Sequence, residues 1–466
     1  MVNENAFFSS SSSPGHFNFS SSSVAHGDSN FIINPNPYNP SPHSPFNGGG
    51  FSSHPSQLPF RPFFAISFPN LRSYLLPRQP ILLPCLELLH QESRFASPFV
   101  ILDMFNLRSV AVNIEDESAV RARSMDSQLG FCPTVGVGGH LSGAGYGNLM
   151  RKFGVSVDNV VDALIVDANG RVLDRESMGE DLFWAIRGGG GASFGVIVSW
   201  KFKLVPLPET VSVFRIEKTM EEGGVDMLYK WQEVADKMDE NLFTNVVILS
   251  VNKKTQKTAK AKLISLFLGS AQKLFSLMSE TLPELGVKAE DCIETSWIES
   301  VLFWSNYRIG TPQCLARKAT QLRKILEEEI RLYVQEPISK AELEGMMRKR
   351  MELKRPALTF NPYGGKMSEI AERETPFPHR AGNKYKIQYS VTWKEEGEEA
   401  ADKYVGLIRE LYEYMTPYVS KSPTSTYLNY RDVDLGVNGN GNASYWEASH
   451  WGRTYSQGQT LTDWWR

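Results

Sequence analysis

One glycine-rich segment of the chain carries a single thiol, Cys132. Residues 130–147 read GFCPTVGVGGHLSGAGYG, and seven of these eighteen residues are glycine. Successive backbone N–H groups in such a segment can form a concavity that suits a pyrophosphate. No G-K-[ST] follows, and no βαβ unit precedes, so neither a P-loop nor a dinucleotide fingerprint is indicated. A ligand-binding loop and a plain turn-rich region both remain open, and a second glycine run at 188–191 favours the ligand.

The elements around this segment mix strands and helices. Two apolar runs flank Asn169-Gly170 within residues 160–174, which predicts a β-hairpin. Residues 179–208 predict a short helix, a glycine loop and a long strand. TNVVILSV and AKLISLFLG read as strands, and AADKYVGLIRELYEYM as a helix. Residues 225–239 place one helical face inward, comprising Met227, Leu228, Trp231, Val234, Ala235 and Met238.

Residues 385–394, YKIQYSVTWK, alternate and predict a strand. One face carries four apolar side chains, and the other is polar, with Lys386 and Gln388 at its start. From the pattern alone the polar face would lie in solvent. Strands and helices without a regular βαβ order predict an α+β fold and not a doubly wound sheet.

Composition excludes several function classes. The 466 residues are 41% hydrophobic and 22% charged, which is typical of a globular protein, and the net charge of −3 argues against a nucleic-acid partner. No run is long enough for a membrane span, and the N-terminus lacks the features of a signal peptide. The four cysteines, Cys85, Cys132, Cys292 and Cys314, form no C-x-x-C pair or Cys/His cluster, so we predict no metal site.

Residues 132–197, which begin CPTVGVGGH and end RGGGGASFGVI, resemble the plant berberine-bridge-enzyme-like family of FAD-linked oxidoreductases. NPYGGKMSEI, PFPHRAGNKYKIQYSVTW and YLNYRDVDLGVN extend the resemblance to residues 98–452. It implies an FAD-binding domain of the vanillyl-alcohol-oxidase type and a substrate domain whose antiparallel sheet covers the isoalloxazine. We expect a disordered, low-complexity segment at 1–97, a partial FAD domain at 98–208, a substrate domain at 209–426 and a return to the FAD domain at 427–466.

The resemblance also implies a cofactor site. The family cysteine at the position of Cys132 bonds to C6 of the isoalloxazine, whereas a buried structural thiol is the alternative. Val135 matches a position that gates oxygen access to the flavin. The family's histidyl-flavin motif is absent, so we expect His140 to support the segment structurally. The implied cofactor-binding set is Cys132, Pro133, Thr134, Val135, Gly136, Gly138, Gly139, His140, Gly143, Gly145, Gly195 and Val196.

Four catalytic positions follow from the same resemblance. Tyr146 corresponds to the family tyrosine proposed as active-site base, and a packed core aromatic is the alternative. A phenol with a pKa of about 10 is a useful base only if a nearby cation favours phenolate, and Lys386 would supply that cation. The family places the face with Lys386 and Gln388 toward the flavin. Tyr430, in LNYRD, matches another active-site tyrosine.

The expected reaction is oxidation of an alcohol by hydride transfer to FAD, with molecular oxygen as acceptor. The resemblance implies a small-molecule substrate of the alkaloid, monolignol or carbohydrate class, and a secreted or cell-wall location. The chain lacks the family's histidine-bearing segment and its usual C-terminal end, so we expect a truncated version that retains flavin weakly. An inactive or flavin-poor pseudoenzyme is one alternative. A nicotinamide-dependent enzyme is another, and the lack of a Rossmann register argues against it.

Overall fold

The computed structural model describes residues 109–113, 118–121, 135–253, 256–311, 326–421 and 425–430, together with Ser449 and Tyr455. The predicted disordered segment at 1–97 lies outside these residues, as do Cys132, Pro133 and Thr134. The described strands form two antiparallel sheets. The mixed α+β character predicted from the sequence is therefore confirmed, whereas the predicted domain limits remain predictions.

The smaller sheet has five strands among the described residues, in the order β1-β2-β5-β3-β4. The strands are β1 Val110–Asn113, β2 Ser118–Arg121, β3 Val160–Val166, β4 Val172–Leu173 and β5 Val196–Lys203.

The hairpin predicted around Asn169-Gly170 joins β3 to β4. Gly170 adopts φ +77°, which explains the glycine, and an Asp167 carboxylate oxygen accepts the N–H groups of Asn169 and Arg171 at 2.9 Å each. Local turn chemistry thus determines this connection.

The larger sheet has seven strands among the described residues, in the order β10-β12-β11-β7-β8-β6-β9. The strands are β6 Val211–Thr219, β7 Leu242–Lys253, β8 Gln256–Phe267, β9 Ile293–Thr295, β10 Leu326–Val334, β11 Ala357–Pro362 and β12 Tyr385–Trp393. The strands predicted for TNVVILSV and AKLISLFLG are β7 and β8.

The helices are α1 Val137–Ser142, α2 Met150–Phe153, α3 Arg175–Ile186, α4 Gly224–Val234, α5 Ala271–Thr281, α6 Trp297–Trp304, α7 Lys340–Leu353, α8 Lys366–Glu369 and α9 Glu398–Met415. Met227, Leu228 and Trp231 of α4 are buried against the large sheet, which confirms the predicted apolar face. The helix predicted for residues 400–415 is α9. Among the described residues, no helix combines the length and apolarity needed to cross a bilayer.

The large sheet separates two hydrophobic cores. One core lies under helices α4, α5, α7 and α9, and the other lies between the large sheet and the elements around the small sheet. Strand β12 contributes to both sides because its side chains alternate. Ile387 and Tyr389 enter the helix-covered core, while Lys386 turns toward the other core and is 0% exposed. The predicted alternation is confirmed, but at Lys386 the polar face meets protein and not water.

Two buried arginines hold the elements around the second core. The Arg151 guanidinium on α2 donates to the backbone carbonyl oxygens of Ala235 (2.6 Å), Met238 and Tyr363. Burial lowers the pKa of Arg151 to about 10, and nearby carboxylates oppose that shift, so the group stays charged at neutral pH. Its donors therefore join α2 to two separate backbone segments.

The second arginine, Arg380, forms a bidentate ion pair with Asp158. The two N–O distances are 2.7 and 2.8 Å, and both side chains are almost fully buried. A further guanidinium N–H donates to the Thr375 hydroxyl at 2.9 Å. Asp158 precedes β3 and Arg380 precedes β12, so this pair connects the small-sheet region to the large sheet. Bidentate geometry makes such a pair strong and directional.

Candidate functional site

Tyr146 and Lys386 lie against each other at the second core. The Lys386 ammonium Nζ is 2.9 Å from the centroid of the Tyr146 ring and 4.7 Å from that of Tyr427. The two tyrosine rings meet edge to face, with centroids 5.5 Å apart. A buried cation over an aromatic face is a strong electrostatic contact. The structure thus brings together two residues that the sequence predicted as catalytic, with the cation placed over the phenol ring.

Tyr427 is one site residue that sequence reasoning missed. It is 1% exposed, and its hydroxyl oxygen accepts the backbone N–H of Gly145 at 3.1 Å and the Asn429 side-chain N–H at 2.9 Å. Gly145 directly precedes Tyr146, so this hydroxyl fixes the backbone that carries the predicted base. Tyr427 begins the YLNYRD motif, and its spacing of three residues from Tyr430 was the only available signal.

Tyr430 and Gln388 occupy the edges of this arrangement. Tyr430 is half-buried, and its ring lies 5.3 Å from that of Tyr427, between ring centroids. This ring contact connects Tyr430 to the Lys386–Tyr146 pair through Tyr427. Gln388 lies two residues beyond Lys386 on the same face of β12 and is half-buried. Lys386 and Gln388 thus share one face of the large sheet. Tyr146 and Tyr430 lie on segments that pack on this side of the sheet.

The glycine segment differs from the loop expected there. Residues 137–142 form the short helix α1, although glycine is a poor helix former, so tertiary packing overrides local propensity here. Two later glycines are required by packing. A Cβ on Gly143 would overlap the Asn429 amide, and Gly145 adopts φ +73° with its Cα facing His140 and Ser156. The plain turn-rich interpretation therefore explains Gly143 and Gly145 without a ligand.

The front of the segment fits a flat cofactor. A Cβ built on Gly136, Gly138 or Gly139 would meet no atom of the described residues within 4 Å. Gly139 is exposed, and Val135 is 44% exposed. Glycines that no neighbouring side chain requires leave bare backbone that a ligand can approach closely. These positions therefore fit a group such as the isoalloxazine or the pyrophosphate of FAD.

His140, Gly195 and Val196 have structural contacts of their own. The His140 carbonyl oxygen accepts the Asn429 side-chain N–H at 2.8 Å, and its ring packs against Gly145. Gly195 lies so close to the Val166 carbonyl oxygen that a Cβ would not fit, and Val196 begins β5. The close approach explains the glycine at 195, and the predicted part of His140, Gly195 and Val196 in cofactor binding stays a prediction.

Three further side chains, Tyr333, Tyr363 and His379, form a buried ring cluster behind the pair. The His379 imidazole stacks on the Tyr333 ring with centroids 4.2 Å apart, and the Tyr363 hydroxyl donates to the Tyr333 hydroxyl at 3.2 Å. Tyr333 on β10 is directly opposite Lys386 on β12. Burial raises the pKa of Tyr363, which keeps this phenol protonated. The sequence carried no signal for this cluster beyond its aromatic residues.

Comparison with known proteins identifies the family. No protein-family model matches the chain. The chain is 47% identical to berberine bridge enzyme-like 8 of Arabidopsis thaliana over 381 residues, which are 78% of this chain and 72% of that protein. It is 45% identical to the monolignol oxidoreductase AtBBE-like 13 of the same plant over 385 residues, or 78% and 71% of the two chains.

Solved structures agree with this result. The structure of BBE-like #28 from Arabidopsis thaliana superposes with a TM-score of 0.73 at 41% identity and covers 79% of each chain. The predicted FAD fold of the vanillyl-alcohol-oxidase type is thereby confirmed. The chain therefore belongs to the berberine-bridge-enzyme-like family, and it is an FAD-linked oxidoreductase.

Proposed function

We propose that the protein oxidises the hydroxyl-bearing carbon of a small-molecule alcohol, with molecular oxygen as the final acceptor. The observation that carries this proposal is the fully buried Lys386 ammonium, 2.9 Å from the Tyr146 ring centroid. A tyrosine base beside a buried ammonium suits a substrate hydroxyl, because this hydroxyl must lose its proton as the carbon is oxidised. One relative is named for monolignols, which are allylic alcohols, and this supports the same substrate class.

The chain's own residues would manage the proton. The Tyr146 phenolate oxygen accepts the proton of the substrate hydroxyl, because the Lys386 charge favours the ionised phenol. The pair lies in a buried site, where a charge–charge attraction is stronger than in water. The Tyr427 hydroxyl accepts the Gly145 N–H and holds that backbone in place. The Tyr427 ring is the second aromatic ring in contact with the Lys386 ammonium. Bound FAD supplies the two-electron acceptor for the hydride that leaves carbon.

The bare backbone at Gly136, Gly138 and Gly139, preceded by Cys132, would hold the cofactor. Val135 lies beside this backbone and is 44% exposed, which suits the predicted part in oxygen access. The family resemblance also favours a secreted or cell-wall location, and we propose that location for this protein.

A visible absorption spectrum tests the function directly. We expect the purified protein to show flavin bands, and these bands should bleach under anaerobic conditions on addition of an alcohol such as coniferyl alcohol and return with oxygen. Flavin bands that no alcohol of the monolignol, alkaloid or carbohydrate class bleaches would favour the pseudoenzyme. A colourless protein that reconstitution with FAD leaves colourless would contradict the cofactor site.

The covalent tether is a separate prediction. If the flavin is covalently bound, it is bound once, through Cys132, because the cysteine motif is present and the family's histidine motif is not. We expect acid precipitation of wild-type protein to leave flavin in the pellet, and Cys132→Ala to release all of it to the supernatant. Cys292→Ala is the matched control, since this buried thiol has a pKa raised by burial to about 11 and lies in the helix-covered core. Flavin recovered on a histidine peptide would refute the single tether.

A further inference from the structure

His379 occupies a position from which it can act on the Lys386–Tyr146 pair. It is 5% exposed and lies between Tyr333, on which it stacks, and Phe377, which meets it edge to face at 5.1 Å between centroids. Phe377 also contacts the Tyr427 ring, at 6.0 Å. The imidazole is therefore packed beside the strand that carries Lys386 and beside the ring that closes the site.

Hydrogen bonding defines the tautomer of His379. Its Nε2 atom is buried and has no hydrogen-bond partner among the described residues, so the bond that it makes to the Thr426 backbone comes from Nδ1. This bond raises the pKa of His379, which means that it stabilises a proton on the ring. The imidazole N–H therefore donates to the Thr426 carbonyl oxygen. Burial, followed by the charge of Lys386, lowers the pKa of His379 to about 3, so the ring is neutral in the working range.

Thr426 directly precedes Tyr427, so the imidazole anchors the segment that bears this tyrosine. Tyr427 in turn contacts the Lys386 ammonium with its ring and the Gly145 N–H with its hydroxyl. A continuous set of contacts thus runs from His379 through Thr426 and Tyr427 to both members of the pair.

We propose that His379 is a positioning residue for the base: by donating to the Thr426 carbonyl it fixes Tyr427, which holds Lys386 over the Tyr146 ring. The proposal rests on the proposed function only for its catalytic consequence. The placement of the Lys386 ammonium over the phenol can be measured without substrate.

Three substitutions separate this positioning role from simple packing. His379→Asn places an amide N–H near the Nδ1 position and should keep the bond to Thr426. His379→Gln places its amide N–H near the Nε2 position and should lose that bond. His379→Phe keeps the stack on Tyr333 and has no donor.

The groups that titrate or carry charge around the site are Lys386, Arg380 with its partner Asp158, Tyr333, Tyr363 and Tyr427.

The readout is the titration of the Tyr146 phenol in full-length protein labelled with [4-¹³C]tyrosine, where the signal absent from Tyr146→Phe identifies the residue. With Gln or Phe at position 379 we expect the titration midpoint of Tyr146 to rise by about 0.5 to 1 pH unit. At a fixed pH below the midpoint, the fraction of Tyr146 in the phenolate form should then be roughly three- to tenfold smaller. Asn should restore the wild-type midpoint. Circular dichroism at each pH ensures that folded protein is compared.

The outcomes are distinct. A midpoint equal to that of wild type in all three variants, or a shift of equal size in all three, would overturn the positioning role and leave His379 as packing. The proposed function fails separately, if Tyr146→Phe reduces its flavin as fast as wild type. Where it holds, His379→Gln should move the pH profile of flavin reduction to higher pH, and His379→Asn should not.

Discussion

Tyr146→Phe is expected to slow flavin reduction by a saturating alcohol by about 10²- to 10⁴-fold, the range that general-base catalysis contributes. The phenyl ring keeps the contact with Lys386 and the edge-to-face contact with Tyr427, so substrate affinity should change far less than the rate. Anaerobic stopped-flow measurement of flavin bleaching, over a range of alcohol concentrations, gives both quantities. A reduction rate equal to that of wild type would mean that Tyr146 only packs.

Lys386→Met tests the cation in the same experiment. Removing the positive charge makes phenolate harder to form, so part of the rate is lost and the remaining activity appears at higher pH. Gln388→Ala is the matched control because Gln388 shares the Lys386 face of β12 without being a cation. We expect it to alter substrate affinity and to leave the pH profile in place.

The largest stability effect is expected at the Arg380–Asp158 pair. Arg380→Leu leaves a buried carboxylate without its partner, and we expect a loss of about 3–5 kcal/mol in the free energy of unfolding. Asp158→Leu should cost a similar amount by stranding the guanidinium. The double substitution removes both charges and should cost less than the sum of the two single changes. Denaturant titration followed by circular dichroism measures all three.

The exposed ion pair Lys366–Glu369 provides the control for this series, since its side chains are 44% and 59% exposed. Lys366→Ala should leave the denaturation midpoint unchanged, because exposed pairs contribute little. If Arg380→Leu behaved like Lys366→Ala, the buried pair would not be a structural connection between the two regions.

Local patterns in the sequence predicted most of the regular structure. The hairpin at Asn169-Gly170, the buried face of α4 and the alternation of β12 each follow from signals within about ten residues. The α1 helix did not, because its glycines disfavour a helix, whereas its buried side chains Val137 and Leu141 pack into the second core. The alternation of β12 placed Lys386 and Gln388 on one face but could not show that protein covers this face.

The buried polar contacts could not be predicted from local signals. A charged residue in a sequence is expected at the surface, and nothing near Arg380 indicates a partner 222 positions away at Asp158. Tyr427 is similar, since a tyrosine in an aperiodic segment cannot be told from an ordinary core aromatic. Family resemblance indicated Tyr146 and Lys386, and the structure added Tyr427 and His379.

The hydrogen bond between Gly145 and Tyr427 joins residues 282 positions apart. During synthesis at about 5–20 residues per second, Gly145 is added to the chain roughly 14–56 s before Tyr427. Until then the backbone next to Tyr146 lacks the hydroxyl that fixes it, and Lys386 lacks its second ring. The complete contact set around the pair can therefore form only after residue 427 has emerged, so a ribosome that stalls before that point leaves a nascent chain whose base has no fixed position.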